Sequence, residues 1–78
     1  MLKPNKEYLF RSVPAWSICY YVFSNGRKAY FIKLPRYSHY GFTLHFNVFW
    51  LEPGEYSYFE STERVFYLRP VGDLKVGD

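Results

Sequence analysis

The clearest alternation of apolar and polar side chains lies at residues 42–51, "FTLHFNVFWL". Thr43, His45 and Asn47 fall on one side of this stretch. The other side is apolar and carries Phe42, Leu44, Phe46, Val48 and Trp50. A period of two is typical of a β-strand that has one face against a core and one face in solvent. The pattern therefore predicts a half-buried strand whose apolar side chains belong to the core.

A second pair of strands is predicted around an Asn-Gly dipeptide, in "YYVFSNGRKAYF" at residues 20–31. Asn-Gly between two strand-forming runs is typical of a hairpin closed by a two-residue type I′ turn. That turn places Tyr20 opposite Phe31 and Ile18 opposite Lys33. Both faces of this hairpin carry aromatic side chains, so the pattern does not assign one face to the core and the other to solvent.

Turn residues divide the rest of the chain into further short strands. "EPGE" at residues 52–55 predicts a type II turn, which places Leu51 opposite Tyr56 and Val48 near Phe59. Six strands are expected in all, near residues 7–13, 16–24, 27–34, 42–51, 55–60 and 64–69. Because the connections are too short for a crossover helix, neighbouring strands should be antiparallel.

Two turn-and-strand segments share one pattern. "LKPNKEYLF" at residues 2–10 and "LEPGEYSYF" at residues 51–59 both begin Leu-x-Pro, continue with a turn residue, and enter a predicted strand through Glu-Tyr. We interpret the similarity as the same turn chemistry used twice.

Composition supports an all-β domain without a substantial helix. We expect one domain over residues 1–78, which include nine Tyr, eight Phe and two Trp, but only two Ala. Strands accept aromatic residues readily, whereas helices favour Ala and unbranched side chains. We expect a small antiparallel barrel or a twisted, folded sheet. An SH3-like arrangement is favoured over an OB fold, because residues 35–41 leave no room for the helix of an OB barrel. The predicted core contains Phe42, Leu44, Phe46, Val48, Trp50, Val65, Tyr67 and one face of the Asn-Gly hairpin.

The net charge of +3 is distributed unevenly along the chain. Residues 8–51 contain five Lys or Arg and no acid, whereas residues 52–63 contain four Glu and no base. One part of the protein is therefore basic, and one predicted hairpin is acidic.

No pattern in the sequence predicts an enzyme, a cofactor or a metal site. The two His and the single Cys do not have the spacing of metal ligands, and there is no glycine-rich phosphate loop. Cys19 falls inside a predicted strand, where a buried thiol is the ordinary case. No signal peptide and no membrane span are recognisable, so we expect a cytoplasmic protein.

The number of aromatic residues indicates a binding protein. A domain of this size cannot bury all of its aromatic rings, so some should be exposed. Aromatic residues are concentrated at residues 16–40, together with Lys and Arg. Exposed rings beside cations are what single-stranded nucleic acid requires, because bases stack on the rings and phosphates pair with the cations. The predicted contacts, for either DNA or RNA, are Arg27, Lys28, Lys33 and Arg36 for phosphates, Tyr21, Tyr30, Tyr37 and Tyr40 for stacking, and His39 in the following loop.

The alternative is a small inhibitor or adaptor that docks on a partner protein. It would use the same aromatic surface or the acidic hairpin, because aromatic residues and Arg are also enriched at protein interfaces. The acidic candidates are Glu52, Glu55, Glu60 and Glu63. The separation of charge also allows copies of the chain to associate head to tail. Nucleic acid ranks first because aromatic residues occur together with Lys and Arg at residues 16–40, without any acidic residue.

Overall fold

The computed structural model describes residues 2–38 and 46–73, with side chains for all of these except 36–38 and 73. These residues form one antiparallel sheet of six strands. The strands are β1 (Lys6–Leu9), β2 (Ser17–Val22), β3 (Lys28–Ser38), β4 (Phe46–Trp50), β5 (Glu55–Ser57) and β6 (Arg64–Pro70). Single 3₁₀ turns follow β1 at Phe10–Ser12 and β6 at Val71–Asp73. The predicted all-β class with six antiparallel strands is confirmed.

The strand order is β1-β6-β2-β3-β4-β5, so the twisted sheet is open, with β1 and β5 at its edges. Of the two expected architectures the structure has the twisted sheet, and no feature of it is specific to an SH3-like arrangement. β2 and β6 pair although they are distant in sequence, which places β6, the last strand in the described part of the chain, between β1 and β2.

The β2–β3 hairpin differs from the prediction by one residue in its register. Tyr20 lies opposite Tyr30, and Ile18 lies opposite Ile32. The Gly26 N–H donates to the Phe23 carbonyl (2.8 Å), and Gly26 has a φ of 88°. This is a three-residue connection in which the glycine occupies the left-handed region, and not a two-residue type I′ turn. The prediction was wrong because Asn-Gly fits both turns.

The β4–β5 connection also differs from the prediction. Phe49 lies opposite Tyr56 and Val48 opposite Ser57, two residues away from the register expected for a type II turn. The Glu52–Pro53 peptide bond is cis, and the connection comprises the four residues 51–54. A shift of two residues leaves each side chain on its predicted face, because strands repeat every two residues.

The repeated turn pattern is present at both of its sites. Asn5 has a φ of 62° and Gly54 a φ of 85°, and a strand begins at the next residue in each case, Lys6 and Glu55. Asn and Gly are the residues that enter the left-handed region most readily, so each turn residue directs the chain into its strand.

The core lies on one face of the sheet, which we call the core face. Phe31 in β3 is fully buried, and its ring centroid lies 5.3 Å from that of Phe59 and 5.4 Å from that of Trp50. Phe10, in the first 3₁₀ turn, covers this face, 5.5 Å from Phe59 between ring centroids. The buried cluster consists of Phe10, Val13, Cys19, Phe31, Val48, Val65 and Tyr67. Val48, Val65 and Tyr67 are thus buried as predicted, Phe46 and Trp50 are half-buried, and Phe42 and Leu44 lie outside the described residues.

The opposite face, which we call the outer face, is also aromatic. Tyr20 stacks on Phe66, with ring centroids 5.1 Å apart and planes 5° from parallel, and lies 5.3 Å from Tyr30. Its hydroxyl donates to Asn5 Oδ1 at 2.9 Å. Tyr20 is buried, whereas Tyr30, directly opposite it on β3, is exposed.

Candidate nucleic-acid interface

The β2–β3 turn and the β4–β5 turn lie side by side and enclose a wide concavity of about 830 Å³. The Leu51 N–H donates to the Tyr30 carbonyl at 3.1 Å, which holds the two turns together. Five of the lining residues form what we call the hairpin-tip surface: Phe23, Arg27, Lys28, Tyr30 and Leu51. A concavity of this size is within the range that holds a nucleotide-sized ligand.

Two aromatic rings of the hairpin-tip surface are available for contact. Phe23 is 44% exposed and Tyr30 is 42% exposed. Phe23 precedes the turn, where its N–H donates to the Arg27 carbonyl at 2.9 Å. Phe23, directly after β2, and Tyr30, in β3, therefore flank the turn, and a planar ligand can reach either ring without displacing a core residue.

Arg27 and Lys28 provide the positive charge of the hairpin-tip surface. Both are exposed, and in the described part of the chain neither forms an ion pair. The Lys28 ammonium lies 5.0 Å from the centroid of the Tyr20 ring, a cation–π contact that holds it over the outer face. The Arg27 N–H donates to Asn25 Oδ1 at 2.9 Å, which orders the turn that presents the guanidinium. Glu52 lines the same concavity and is the one acid among the lining residues that the structure describes.

Two of the predicted contacts are directed elsewhere. The Lys33 ammonium points into the protein, where it donates to the carbonyls of Phe10 and Val13 and lies 4.3 Å from the centroid of the Phe10 ring. Desolvation of this half-buried group lowers its pKa. Tyr21 lies half-buried on the core face, edge-on to Phe23 (5.1 Å between ring centroids) and Phe59 (5.6 Å). Lys33 and Tyr21 therefore do not join the hairpin-tip surface.

The remaining predicted contacts are Arg36, Tyr37, His39 and Tyr40. Arg36 and Tyr37 belong to β3 by their backbone, and their side chains are not among those described. His39 and Tyr40 lie outside the described residues. The structure therefore brings together Arg27, Lys28 and Tyr30 from the predicted set.

The sequence missed Phe23 and Leu51, for different reasons. Phe23 was expected to pair with Lys28 inside the hairpin, but the one-residue shift in register places it opposite Arg27, next to the turn. A hydrophobic residue directly before a turn is the signal that could have found it. Leu51 reaches the site only through the pairing of β3 with β4, which local pattern does not contain.

The acidic candidates divide into separate groups. Glu52 lies in the concavity of the hairpin-tip surface, while Glu55 and Glu60 are exposed along the β5 hairpin. Glu63 is half-buried, and its carbonyl accepts from the Phe10 N–H at 2.7 Å. Tyr56 and Tyr58, between Glu55 and Glu60, are 59% and 53% exposed. This edge of the sheet is thus both acidic and aromatic.

The described residues contain neither a cluster of metal ligands nor an activated thiol. Within residues 2–38 and 46–73, no three His, Cys, Asp or Glu lie close enough to hold a metal ion. Burial raises the pKa of the Cys19 thiol to about 12, so the thiol stays protonated at neutral pH and is a poor nucleophile. No helix in the described part of the chain is long and apolar enough to cross a membrane.

The fold and this surface define an all-β protein with an open sheet and an aromatic, basic hairpin tip. No family model, no curated protein and no solved structure matches the chain. The function is therefore inferred from the geometry of the residues themselves.

Proposed function

We propose that this protein is a non-catalytic binding protein that holds single-stranded nucleic acid on the hairpin-tip surface. The observation that carries the proposal is the placement of two exposed rings, Phe23 and Tyr30, beside two cations without ion-pair partners in the described chain, Arg27 and Lys28. Exposed rings offer a stacking face to any base, and neighbouring cations bind the phosphates between bases.

Each element of the surface has one role in this proposal. Tyr30 stacks on a base while its hydroxyl remains in water, which suits an aromatic residue on a wet surface. Phe23 provides a second apolar contact on the other side of the turn. Arg27, in the turn, and Lys28, at the start of β3, lie between the two rings in sequence and pair with the backbone phosphates. Since nothing in this arrangement reads the edge of a base, we expect little sequence preference.

The first test is the salt dependence of oligonucleotide binding, measured by fluorescence anisotropy with a labelled single strand of about ten nucleotides. Two phosphate contacts predict a log–log slope of about −1.4 against salt concentration between about 50 and 200 mM. The double variant Arg27→Gln with Lys28→Gln should bind weakly and have a slope close to zero. A wild-type slope near zero, or an unchanged slope in the variant, would refute the proposal.

The second test is removal of the stacking ring. Loss of one base–aromatic stack weakens binding by about 1–3 kcal/mol, which is about 5- to 150-fold. Tyr30→Leu should show this loss, whereas Tyr30→Phe should keep most of the affinity because the ring remains. Tyr56→Leu is the matched control, since Tyr56 is an exposed ring on another strand and outside the concavity. Equal losses in Tyr30→Leu and Tyr56→Leu would contradict a localised site.

Glu52 provides a test in which the substitution should strengthen oligonucleotide binding. Its carboxylate lines the concavity and repels phosphate, so Glu52→Gln should tighten oligonucleotide binding by about two- to threefold at low salt. The same substitution at Glu60, which is exposed and not among the residues lining the concavity, should leave the affinity unchanged. Weaker binding in Glu52→Gln would mean that the ligand is not an anion.

A second candidate function is protein docking through the acidic edge, and the exposure of Tyr56 and Tyr58 between Glu55 and Glu60 favours it. Tyr is enriched at the centre of protein interfaces. A specific version is head-to-tail association, in which this edge binds the hairpin-tip surface of another copy. Sedimentation equilibrium at low salt would then show oligomers that disappear both in Glu55→Gln with Glu60→Gln and in Arg27→Gln with Lys28→Gln. A monomer at all concentrations excludes that version.

A further inference from the structure

We propose that a second concavity, on the core-face side of the sheet, binds a small organic anion with an apolar body, such as an aryl- or alkyl-carboxylate. We call it the side concavity and define it by Phe10, Arg11, Lys33, Leu34, Phe59 and Ser61. Its volume is about 430 Å³, which is within the range of small-molecule sites. Among the described residues, none lines both the side concavity and the concavity of the hairpin-tip surface.

The walls of the side concavity are apolar. The rings of Phe10 and Phe59 lie 5.5 Å apart between centroids at an angle of 55°, and Leu34 lines the space beside them. Phe10 is buried, while Phe59 and Leu34 are half-buried, so part of their apolar surface faces the opening. A ligand with an aromatic or aliphatic body would remove this surface from water.

The charge of the side concavity has one sign. Arg11 and Lys33 both line it, and no acid is among the lining residues that the structure describes. Arg11 is exposed and has no ion-pair partner within the described chain. Lys33 uses two donors on the Phe10 and Val13 carbonyls, and an ammonium has three, so one donor remains for a ligand. An anionic head group fits this pair, and a cation does not.

The walls are held in place before any ligand arrives. The Arg11 N–H donates to the Ser61 carbonyl at 3.1 Å, which fixes the backbone beside the guanidinium. The Asn47 side chain donates to the Phe59 carbonyl (3.0 Å) and accepts from the Phe59 N–H (2.9 Å), so the wall formed by Phe59 is fastened to β4. Lys33 in turn ties β3 to the 3₁₀ turn that carries Phe10. Such preorganisation lowers the entropic cost of binding.

The test compares 4-phenylbutyrate with its neutral amide, in titrations followed by amide NMR shifts of the isotope-labelled protein. We expect saturable binding of the acid, with shifts at Arg11, Phe59 and Ser61, and at least tenfold weaker binding of the amide. Arg11→Gln should weaken binding of the acid by about tenfold or more, because a charge-assisted hydrogen bond is lost. Arg27→Gln removes the same charge outside the side concavity and should leave binding of the acid unchanged.

The same two variants separate this proposal from nucleic-acid binding. Arg11→Gln should keep its affinity for the oligonucleotide, and Arg27→Gln should lose part of it. The proposal is overturned if the acid does not bind, if the amide binds equally well, or if Arg27→Gln weakens the acid as much as Arg11→Gln does. Each of these results leaves the outcome of the oligonucleotide measurements unaffected, so the two proposals fail independently.

Discussion

Replacing Lys33 by Met tests whether its ammonium stabilises the fold. The side chain of Lys33 reaches from β3 to the first 3₁₀ turn, where it donates to the carbonyls of Phe10 and Val13 and lies 4.3 Å from the centroid of the Phe10 ring. Met has a similar length and stays apolar, so Lys33→Met removes the charge and both hydrogen bonds without leaving a large cavity.

The expected loss of stability in Lys33→Met depends on which hydrogen-bond donors the Phe10 and Val13 carbonyls retain. The Phe10 carbonyl still accepts from the Val13 N–H at 3.1 Å, so it retains a partner. The Val13 carbonyl loses the donor that Lys33 provides, and an unsatisfied buried carbonyl costs about 1–3 kcal/mol. The apolar contacts of Met offset part of this cost. We expect a loss of about 2 kcal/mol in the free energy of unfolding, which lowers Tm by about 8–16 °C in a domain of this size.

Thermal unfolding followed by circular dichroism at neutral pH measures this loss. Lys28→Met is the matched control, because Lys28 also has a cation–π contact, 5.0 Å from the Tyr20 ring centroid, but its ammonium is exposed and bonds no carbonyl. Lys28→Met should lower the free energy of unfolding by less than about 1 kcal/mol. The reasoning is refuted if Lys33→Met unfolds at the wild-type temperature or if both variants lose the same amount.

Three further predictions concern the fold. Phe31→Ala should lower the free energy of unfolding by about 3–5 kcal/mol, seen as a large drop in Tm, because the ring is fully buried. A loss below about 1 kcal/mol would contradict the position of Phe31 in the core. Gly26→Ala should lower the free energy of unfolding, measured in urea, by about 1–2 kcal/mol because the φ of Gly26 is 88°. A Cβ at either Gly26 or Gly72 would meet nothing within 4 Å, but Gly72 is not in the left-handed region, so Gly72→Ala should change little; equal effects would contradict the turn. Above pH 9 the unfolded chain loses the Cys19 proton and the folded chain keeps it up to about pH 12, so stability should fall by up to about 1.4 kcal/mol per pH unit. Desolvation lowers the pKa of Lys33, which opposes this fall up to pH 10.5. The opposing effect remains in Cys19→Ala, where Cys19 no longer raises the pKa of Lys33. A fall as steep in Cys19→Ala as in wild type would contradict the role of the thiol.

The number and type of the strands could be predicted because they depend on local signals. Aromatic runs between Gly, Pro and Asn turns indicated six short strands, and all six are present. The bounds were less predictable, since a strand ends where its partner ends. β1 stops at Leu9 because the chain leaves the sheet in a 3₁₀ turn that places Phe10 over the core. β5 stops at Ser57, and the side chain of Asn47 then binds the backbone of Phe59.

The register of the β2–β3 hairpin could not be predicted from its pattern. Cys19 and Tyr21 lie on the core face, while Ile18 and Tyr20 lie on the outer face. All four residues are apolar or aromatic. A one-residue shift therefore exchanges two faces of similar hydrophobicity, so periodicity does not distinguish the two registers. The difference lies in the turn, where Gly26 alone takes up the left-handed conformation.

The candidate site was predictable only in part, for a related reason. Arg27, Lys28 and Tyr30 are close in sequence, so the strand that carries two of them keeps the three together. Lys33 is only a few residues further, but it lies on the core face, where the carbonyls of a distant segment bind it. A contact over 23 residues in sequence leaves no local signal.

The most direct test of the central claim is an NMR titration of the isotope-labelled protein with a single-stranded oligonucleotide of about ten nucleotides at low salt. If the hairpin-tip surface holds the strand, the amide shifts should concentrate at Phe23, Arg27, Lys28, Tyr30 and Leu51 and should reverse when salt is added. Shifts confined to Tyr56 and Tyr58, shifts spread evenly over the sheet, or no shifts at all would contradict the claim.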